Sequence, residues 1–501
     1  MKIRCGSLDL PLQSRKNNGA TRSPILMAAF TFVLIYSSAI ALSAQTFTTL
    51  ANFGGEFGSN PGPVIQGIDG NFYGVTTYGT ATLNTYGTVF KVTPQGTLTT
   101  LYMFCALANC ADGYEPDGSL VQAVDGNFYG TTSNGGANGG RGGTIYKISP
   151  TGRLTTLYSF CAQPNCTDGN GPVTGLTQAA DGNFYGTTVG GGATGYGTVF
   201  KITPQGMLTT LHSFDGPVDG NEPTARLLQG SDGNFYGTTL FGYGDIGLGA
   251  GTIFRISPEG TFTLLYGWSC SENQCLNGSN STGGLIQAPN GNFYGTTEQG
   301  GTDNYGVVFK MTPEGVVTPL FNFDSTDGSD PNAYGPLLLA TDKTFYGTTA
   351  EGGAFRWGTI FKITSAGKLT TLYNFCSQAN CGDGALPVEG LIQATDGNFY
   401  GTTDEGGVNP NSGTFFSLTS GLGPFVETLL TSGRVGAEVV ILGNNLAGTS
   451  SVSFNGTLAA YTILSNTAIR TTVPAGATTG FVAVATPSET LTSNKTFRVI
   501  R

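Results

Sequence analysis

The string DGNFYG stands verbatim at residues 69, 125, 181, 232 and 396, with NGNFYG at 290 and DKTFYG at 342. Seven near-copies of one phrase constrain the fold tightly, because a short repeated unit buries its apolar face only against its neighbours. The tyrosines of the phrase are Tyr73, Tyr129, Tyr185, Tyr236, Tyr294, Tyr346 and Tyr400, spaced 56, 56, 51, 58, 52 and 54 residues apart. The third copy reads GLTQAADGNFYGTT, then a Gly-rich stretch, then GTVFKITPQGMLTTLHSF. Residues 175–179 read as a short apolar strand, and Asp181 and Gly182 as the positive-φ pair of a tight hairpin turn. Residues 184–188 are aromatic and β-branched, the mark of a returning strand. A third strand is expected over 197–203, a Pro-Gln-Gly turn at 204–206 and a fourth strand over 207–214. Four antiparallel strands per unit is the format of a propeller blade.

Counting strands predicts how the ring closes. The GTVF-type strand begins seven times, at Gly87, Gly143, Gly197, Gly251, Gly306, Gly358 and Gly413. The LTTLY-type strand also occurs seven times, but its first copy, TFTTLANF at 46–53, precedes the first unit, and the last unit lacks its own. The N-terminal strand is therefore expected to complete the seventh blade, since an open ring would leave an unpaired sheet edge. The fold expected is all-β: a seven-bladed β-propeller with strand-swapped closure, followed by an immunoglobulin-like β-sandwich.

The units resemble the GloVer tandem repeat of exported bacterial proteins over roughly residues 46–420. That resemblance implies a secreted or surface β-propeller-like protein and no particular reaction. After Pro424, VGAEVVILGNNLAGTSSVSFNG and TVPAGATTGFVAVATPSETLTSN resemble an IPT/TIG domain, a small sandwich that implies a spacer or interaction role. Its strands are expected at 438–442, 451–454, 468–473 and 480–485. The domains expected are a signal peptide at 1–44, the propeller at 45–421 and the sandwich at 424–501.

Lys2, Arg4, Arg15, Lys16 and Arg22 precede an apolar run over 25–42, followed by small residues Ala41, Ser43 and Ala44. This is the pattern of a cleaved export signal; a retained membrane anchor is the alternative. Cys5 falls within it. The other eight of the nine cysteines form four C-x4-C pairs: Cys105 with Cys110, Cys161 with Cys166, Cys270 with Cys275, and Cys376 with Cys381. In an exported chain such pairs favour local disulfides over metal ligation, each contributing about 2 kcal/mol by loop closure. A net charge of −10 leaves no basic footprint for nucleic acid. A secreted or cell-surface monomer without a membrane span after cleavage is expected.

Reactive groups are scarce. The one histidine, His212, takes the slot held by Tyr102, Tyr158, Tyr266 and Tyr373 in other copies. It reads as a strand residue, which leaves no triad or histidine metal centre. The repeated Asp of DGN recurs in six units, as a turn residue does and a catalytic group does not. Lys343 replaces the turn glycine in the sixth unit, so a different turn is expected there. The basic series Lys91, Lys147, Lys201, Arg255, Lys310 and Lys362 does not track the turn aspartates strictly, and reads as strand residues extending charged tips to solvent.

Residues that break the repeat are the better functional candidates. The loops between second and third strands carry Arg141, Tyr243, Asp245, Glu298, Arg356 and Trp357. The loops from each fourth strand to the next blade carry the cysteines and acidic runs such as FDGPVDGNE, which open a calcium reading without matching any known loop. Both loop sets are expected on one face, opposite the DGN turns. No catalytic residue and no resident cofactor is expected. The function expected is non-enzymatic binding of a glycan, peptide or cell-surface partner through the variable face. The alternative is a polysaccharide hydrolase or lyase using acidic loop residues.

Overall fold

The structure is a computed structural model that describes residues 45–500 apart from 80–85, 243–249, 271–274 and 332. The expected signal over 1–44 lies outside the described residues. Seven sheets of the repeat type follow one another between residues 47 and 418, and two further sheets lie between 427 and 500. Blade three shows the plan. Its strands are Thr177–Gln178, Phe184–Thr188, Thr198–Ile202 and Leu208–Ser213, paired in that order and all antiparallel. The inner strand is shorter than the five residues expected, because only two of them pair.

Phe47–Asn52 pairs antiparallel with Thr414–Leu418, so the N-terminal strand is the outer strand of blade seven as the count requires. The same seam is closed from within by aromatic rings. Each FYG tyrosine ring packs against the FYG phenylalanine ring of the next blade, stacked or tilted, with centroids 4.0–4.3 Å apart from Tyr73–Phe128 through Tyr346–Phe399. Tyr400–Phe72, at 4.3 Å, joins blade seven to blade one. Each such pair adds about 0.5–1.5 kcal/mol beyond its burial. The glycine of FYG makes room for this packing: a Cβ on Gly186 would lie 2.6 Å from the Phe200 ring.

Two polar belts run inside the ring. Threonines of the second strands donate to the carbonyl before the next inner strand, as in Thr131 to Thr174, Thr348 to Glu389 and, across the seam, Thr402 to Gly62. Glutamines of the inner strands accept from the preceding blade's turn. Gln122 takes the Ile68 N–H, Gln287 that of Ser231, Gln393 that of Thr341 and Gln66 that of Thr395.

The DGN turn is a three-residue loop with one αL residue, and this corrects the expected pair. In blade three Gly182 N–H donates to Ala179 O and Ala179 N–H to Asn183 O. Gly182 sits at φ +80°, while Asp181 is absent from the positive-φ residues. Lys343 does not change the turn: it adopts φ +64° and keeps the bond to Ala340 O. The side chain of Asp181 accepts from Asn183 N–H and from Tyr185 Oη, so the aspartate binds turn to strand. Three of the six basic strand residues also need correction. Lys91, Lys147 and Lys201 pair with Asp69, Asp125 and Asp181 at 2.9, 2.7 and 3.3 Å rather than extending freely.

The C-terminal block is a sandwich. Glu427–Thr428, Glu438–Leu442, Ala468–Thr472 and Tyr461–Ser465 form one sheet; Ser432–Arg434, Thr490–Ile500, Gly480–Ala485, Ser451–Phe454 and Thr457–Ala459 form the other. Val439, Ile441, Val452, Phe454, Val484 and Phe497 belong to the core between them. It rests on the DGN-turn face. Thr467 Oγ1 donates to Ile68 O at 2.8 Å on blade one, and Asn444 Nδ2 to Thr395 Oγ1 at 2.9 Å on blade seven. Lys343 Nζ lies 5.5 Å from the Phe481 ring centroid on blade six, and Arg498 flanks Gly233 on blade four. Contacts on four blades that far apart in the ring place the sandwich across that face.

Candidate functional site

The two variable loop sets meet on the face away from the sandwich. Bridges tie the loop entering each blade to that blade's second-to-third loop, as in Tyr114 with Asn134, Asn170 with Gly190, Ser279 with Gln299 and Ala385 with Glu405. The cysteine pairs Cys105–Cys110, Cys161–Cys166, Cys270–Cys275 and Cys376–Cys381 are disulfides within these loops. Disulfides suit an oxidising, extracytoplasmic compartment. A buried aspartate organises three of them. In blade three Asp168 accepts from Tyr158 Oη and from the N–H groups of Ala162 and Gln163. His212 does the work of that tyrosine in its own blade, with Nε2 2.7 Å from Asp219 Oδ2 and its ring stacked on Phe262. It is structural, as its slot in the repeat indicates.

The candidate residues divide into separate groups. Tyr243 and Asp245 lie outside the described residues. Arg141 is exposed on blade two, bridged locally to Gly135. Arg356 sits at φ +66° and lines a groove of 680 Å³ on blade six with Tyr305, Ser325, Thr326, Glu351 and Asn374. Trp357 follows it in the same loop, 39% exposed, and its carbonyl accepts from Leu386 N–H.

Glu298, a candidate from the sequence, belongs to a second group whose other members sequence reasoning missed. It accepts from Thr282 Oγ1 at 2.6 Å, and burial, with the nearby Asp330 charge, raises its carboxyl above the usual range. Around the ring axis on the same face stand Asp117, Glu389 and Asp404. Burial pushes Asp404 up to about 7, with Glu405 adding repulsion against the bond from Asn60. Burial takes Asp117 to about 6 despite bonds from Ser133 and Thr77. Glu389 is raised well above its ordinary value, first by burial and then by the charges of Asp404 and Asp117. Asp330 rises to about 6 through burial and the charge of Glu351. Among the described residues no group of three or more His, Cys, Asp or Glu side chains is arranged to hold a metal ion. None of their helices is long and apolar enough to cross a membrane.

No curated protein matches the chain. Among solved structures, the extracellular domain of a hybrid two-component system from B. thetaiotaomicron is similar at 12% identity and a TM-score of 0.48, covering 80% of this chain and 46% of that one. This chain thus spans under half of that protein. Penicillium chrysogenum alpha-L-arabinanase is similar at 10% identity and a TM-score of 0.40, covering 75% and 99%. A Dyadobacter fermentans protein of unknown function is similar at 10% and 0.42, covering 75% and 100%. The IPT/TIG domain family matches residues 424–499. The Gloeobacter/Verrucomicrobia repeat family matches residues 34–180, 161–337 and 331–445, and the chain belongs to it.

Proposed function

We propose that this protein is an exported, non-enzymatic propeller that binds a polysaccharide through its variable loop face, with the sandwich as a mount on the opposite side. One observation carries the reading. The loop face holds a polar groove lined by Arg356, Glu351, Tyr305 and the hydroxyl and amide side chains of Ser325, Thr326 and Asn374. Hydroxyls, amides and a guanidinium match the dense donors and acceptors of a sugar chain, and exposed Trp357 adds a ring on which a sugar stacks. The DGN face is the poorer candidate, being nearly the same in every blade and lying under the sandwich.

The test is retention of the purified protein on cell-wall and plant polysaccharides, with assay for released products. Arg356→Ala and Trp357→Ala should each weaken retention about tenfold, or about 1.4 kcal/mol, with the melting temperature unchanged. Retention unaffected by both substitutions would remove the groove from the reading. Release of oligosaccharides would replace binding with the hydrolase alternative.

A further inference from the structure

Three carboxyl groups converge where the inner strands meet the loop face, and the backbone shows why. Glu389 stands two residues before Leu391, at the head of blade seven's inner strand, its carbonyl held by Thr348. Blade one carries Gly62 at the equivalent position, which leaves that sector of the rim open. A Cβ on Gly62 would lie 3.4 Å from the Asp117 carbonyl of blade two. From blade seven Asp404 reaches the same sector, accepting from Asn60 Nδ2 of blade one. Tyr334 of blade six donates its backbone N–H to Val388 O at 2.9 Å, next to Glu389, and its side chain is 61% exposed. Burial first, and then the charges of Glu298, Glu389, Asp404 and Asp117, raise its phenol.

Glu389 is only 8% exposed, and its Oε2 has no hydrogen-bond partner. Among the described residues none of Asp117, Glu298, Asp330, Glu389 and Asp404 forms an ion pair. The one cation in the inner-strand register, Arg226, lies on blade four with its Nε bonded to Thr177. Crowding unpaired, buried carboxyls costs the fold stability, and a group that supplies a positive charge and N–H donors relieves that cost.

We propose, building on the glycan reading above, that this axial mouth binds the free ammonium group of an amino sugar, held by the carboxylates of Glu389, Asp404 and Asp117 against the ring of Tyr334. An ammonium offers three donors to acceptor-only carboxylates and is attracted to an aromatic face. The absence of a metal-holding group among the described residues favours an organic cation over a metal ion. A sugar is favoured over a peptide amine because the acidic rim runs on to the groove. Glu298 feels Asp330, Asp330 feels Glu351, and Glu351 lines the groove beside Arg356.

The experiment is calorimetric titration of the purified protein, at about pH 6.5 where the amine is protonated and its charge draws the carboxyls that burial holds protonated into their ionised form, with three probes: a β-linked glucosamine tetramer, its fully N-acetylated counterpart and tetralysine. The amine tetramer should bind at least about tenfold more tightly than either other probe, and more weakly as salt rises. Glu389→Gln and Tyr334→Ala should each weaken it about tenfold or more. Glu389→Gln should not lower the melting temperature, and Tyr334→Ala alters an exposed side chain, so both test the folded protein. Equal binding of the acetylated tetramer, no binding of the amine tetramer, or indifference to both substitutions overturns the proposal. Tighter binding of tetralysine overturns the sugar assignment. Equal binding of both tetramers that is lost with Arg356→Ala but not with Glu389→Gln would leave the groove reading standing and the mouth refuted. Loss with Glu389→Gln but not with Arg356→Ala would refute the groove alone.

Discussion

Asp404 shows how one side chain records the crowding at the axis. Its carboxyl, facing Asn60 from blade one with Glu389 and Glu405 beside it, stays protonated up to about pH 7 in the folded chain because burial penalises its charge. Asp117 and Asp330 hold their protons to about 6. Unfolded carboxyls release theirs near pH 4. Over the interval from about 4 to 7 the folded state therefore binds more protons than the unfolded state, and stability falls as pH rises. The melting temperature should drop between pH 5 and pH 8, and Asp404→Asn should raise it at pH 8 and flatten the slope. A parent protein whose midpoint is level or rises across that interval would contradict the assignment. The salt-bridged turn aspartates Asp69, Asp125 and Asp181 have the opposite sign, since their lowered values are stabilising above pH 4 and that stability is lost in acid. Little of the axial group was legible in the sequence. Asp117, Glu389 and Asp404 occupy three different positions of the repeat, in EPDG, PVEG and TTDE, and only ring closure brings blade seven beside blades one and two.

At the level of strands the sequence was far more readable, because aromatic and β-branched runs between turn residues leave few alternatives. Phe184–Thr188, Glu438–Leu442, Ser451–Phe454 and Gly480–Ala485 match expectation to the residue. The inner strand of blade three was overestimated, since Gly175 and Leu176 pack against blade two and Ala179 opens the turn rather than extending the ladder. The glutamines of the inner strands passed as ordinary strand residues, and only the ring reveals them as ties between blades. The strand Phe47–Asn52 carries the sharpest test at this scale. It pairs along Thr414–Leu418, and Phe47 stacks on Tyr373 at 3.9 Å, so it holds blade seven on two sides. Deleting residues 45–52 uncovers the edge of that blade, an aggregation template. The truncated protein should lose many degrees of melting temperature or form aggregates on a sizing column. A monomer with an unchanged thermal midpoint would show that this strand does not close the ring.

For the molecule as a whole, the sandwich and the loops divide the ring's two ends between them. Truncation after residue 423 should leave the blades folded, because their cores are built from blade residues. Hydrogen exchange should then quicken at the turns near Ile68, Gly233, Lys343 and Thr395, which touch the sandwich, and stay unchanged in the cysteine loops. Protection lost equally on both faces would mean that the sandwich stabilises the ring globally rather than covering one end. The repeat count disclosed the architecture, while the face that the sandwich covers was out of reach, because no sequence pattern in the turns marks a docking surface. The swapped strand has one more consequence, for the order of events in time. The bond from Thr46 N–H to Thr419 Oγ1 spans 373 positions, so the contact that locks the ring is among the most distant that the chain makes. Contacts so remote form late and slowly, and every earlier stage carries an open sheet edge that invites association. Synthesis must run past residue 419 before the first strand finds its partner, so the first strand of the ring to be made is the last to be paired.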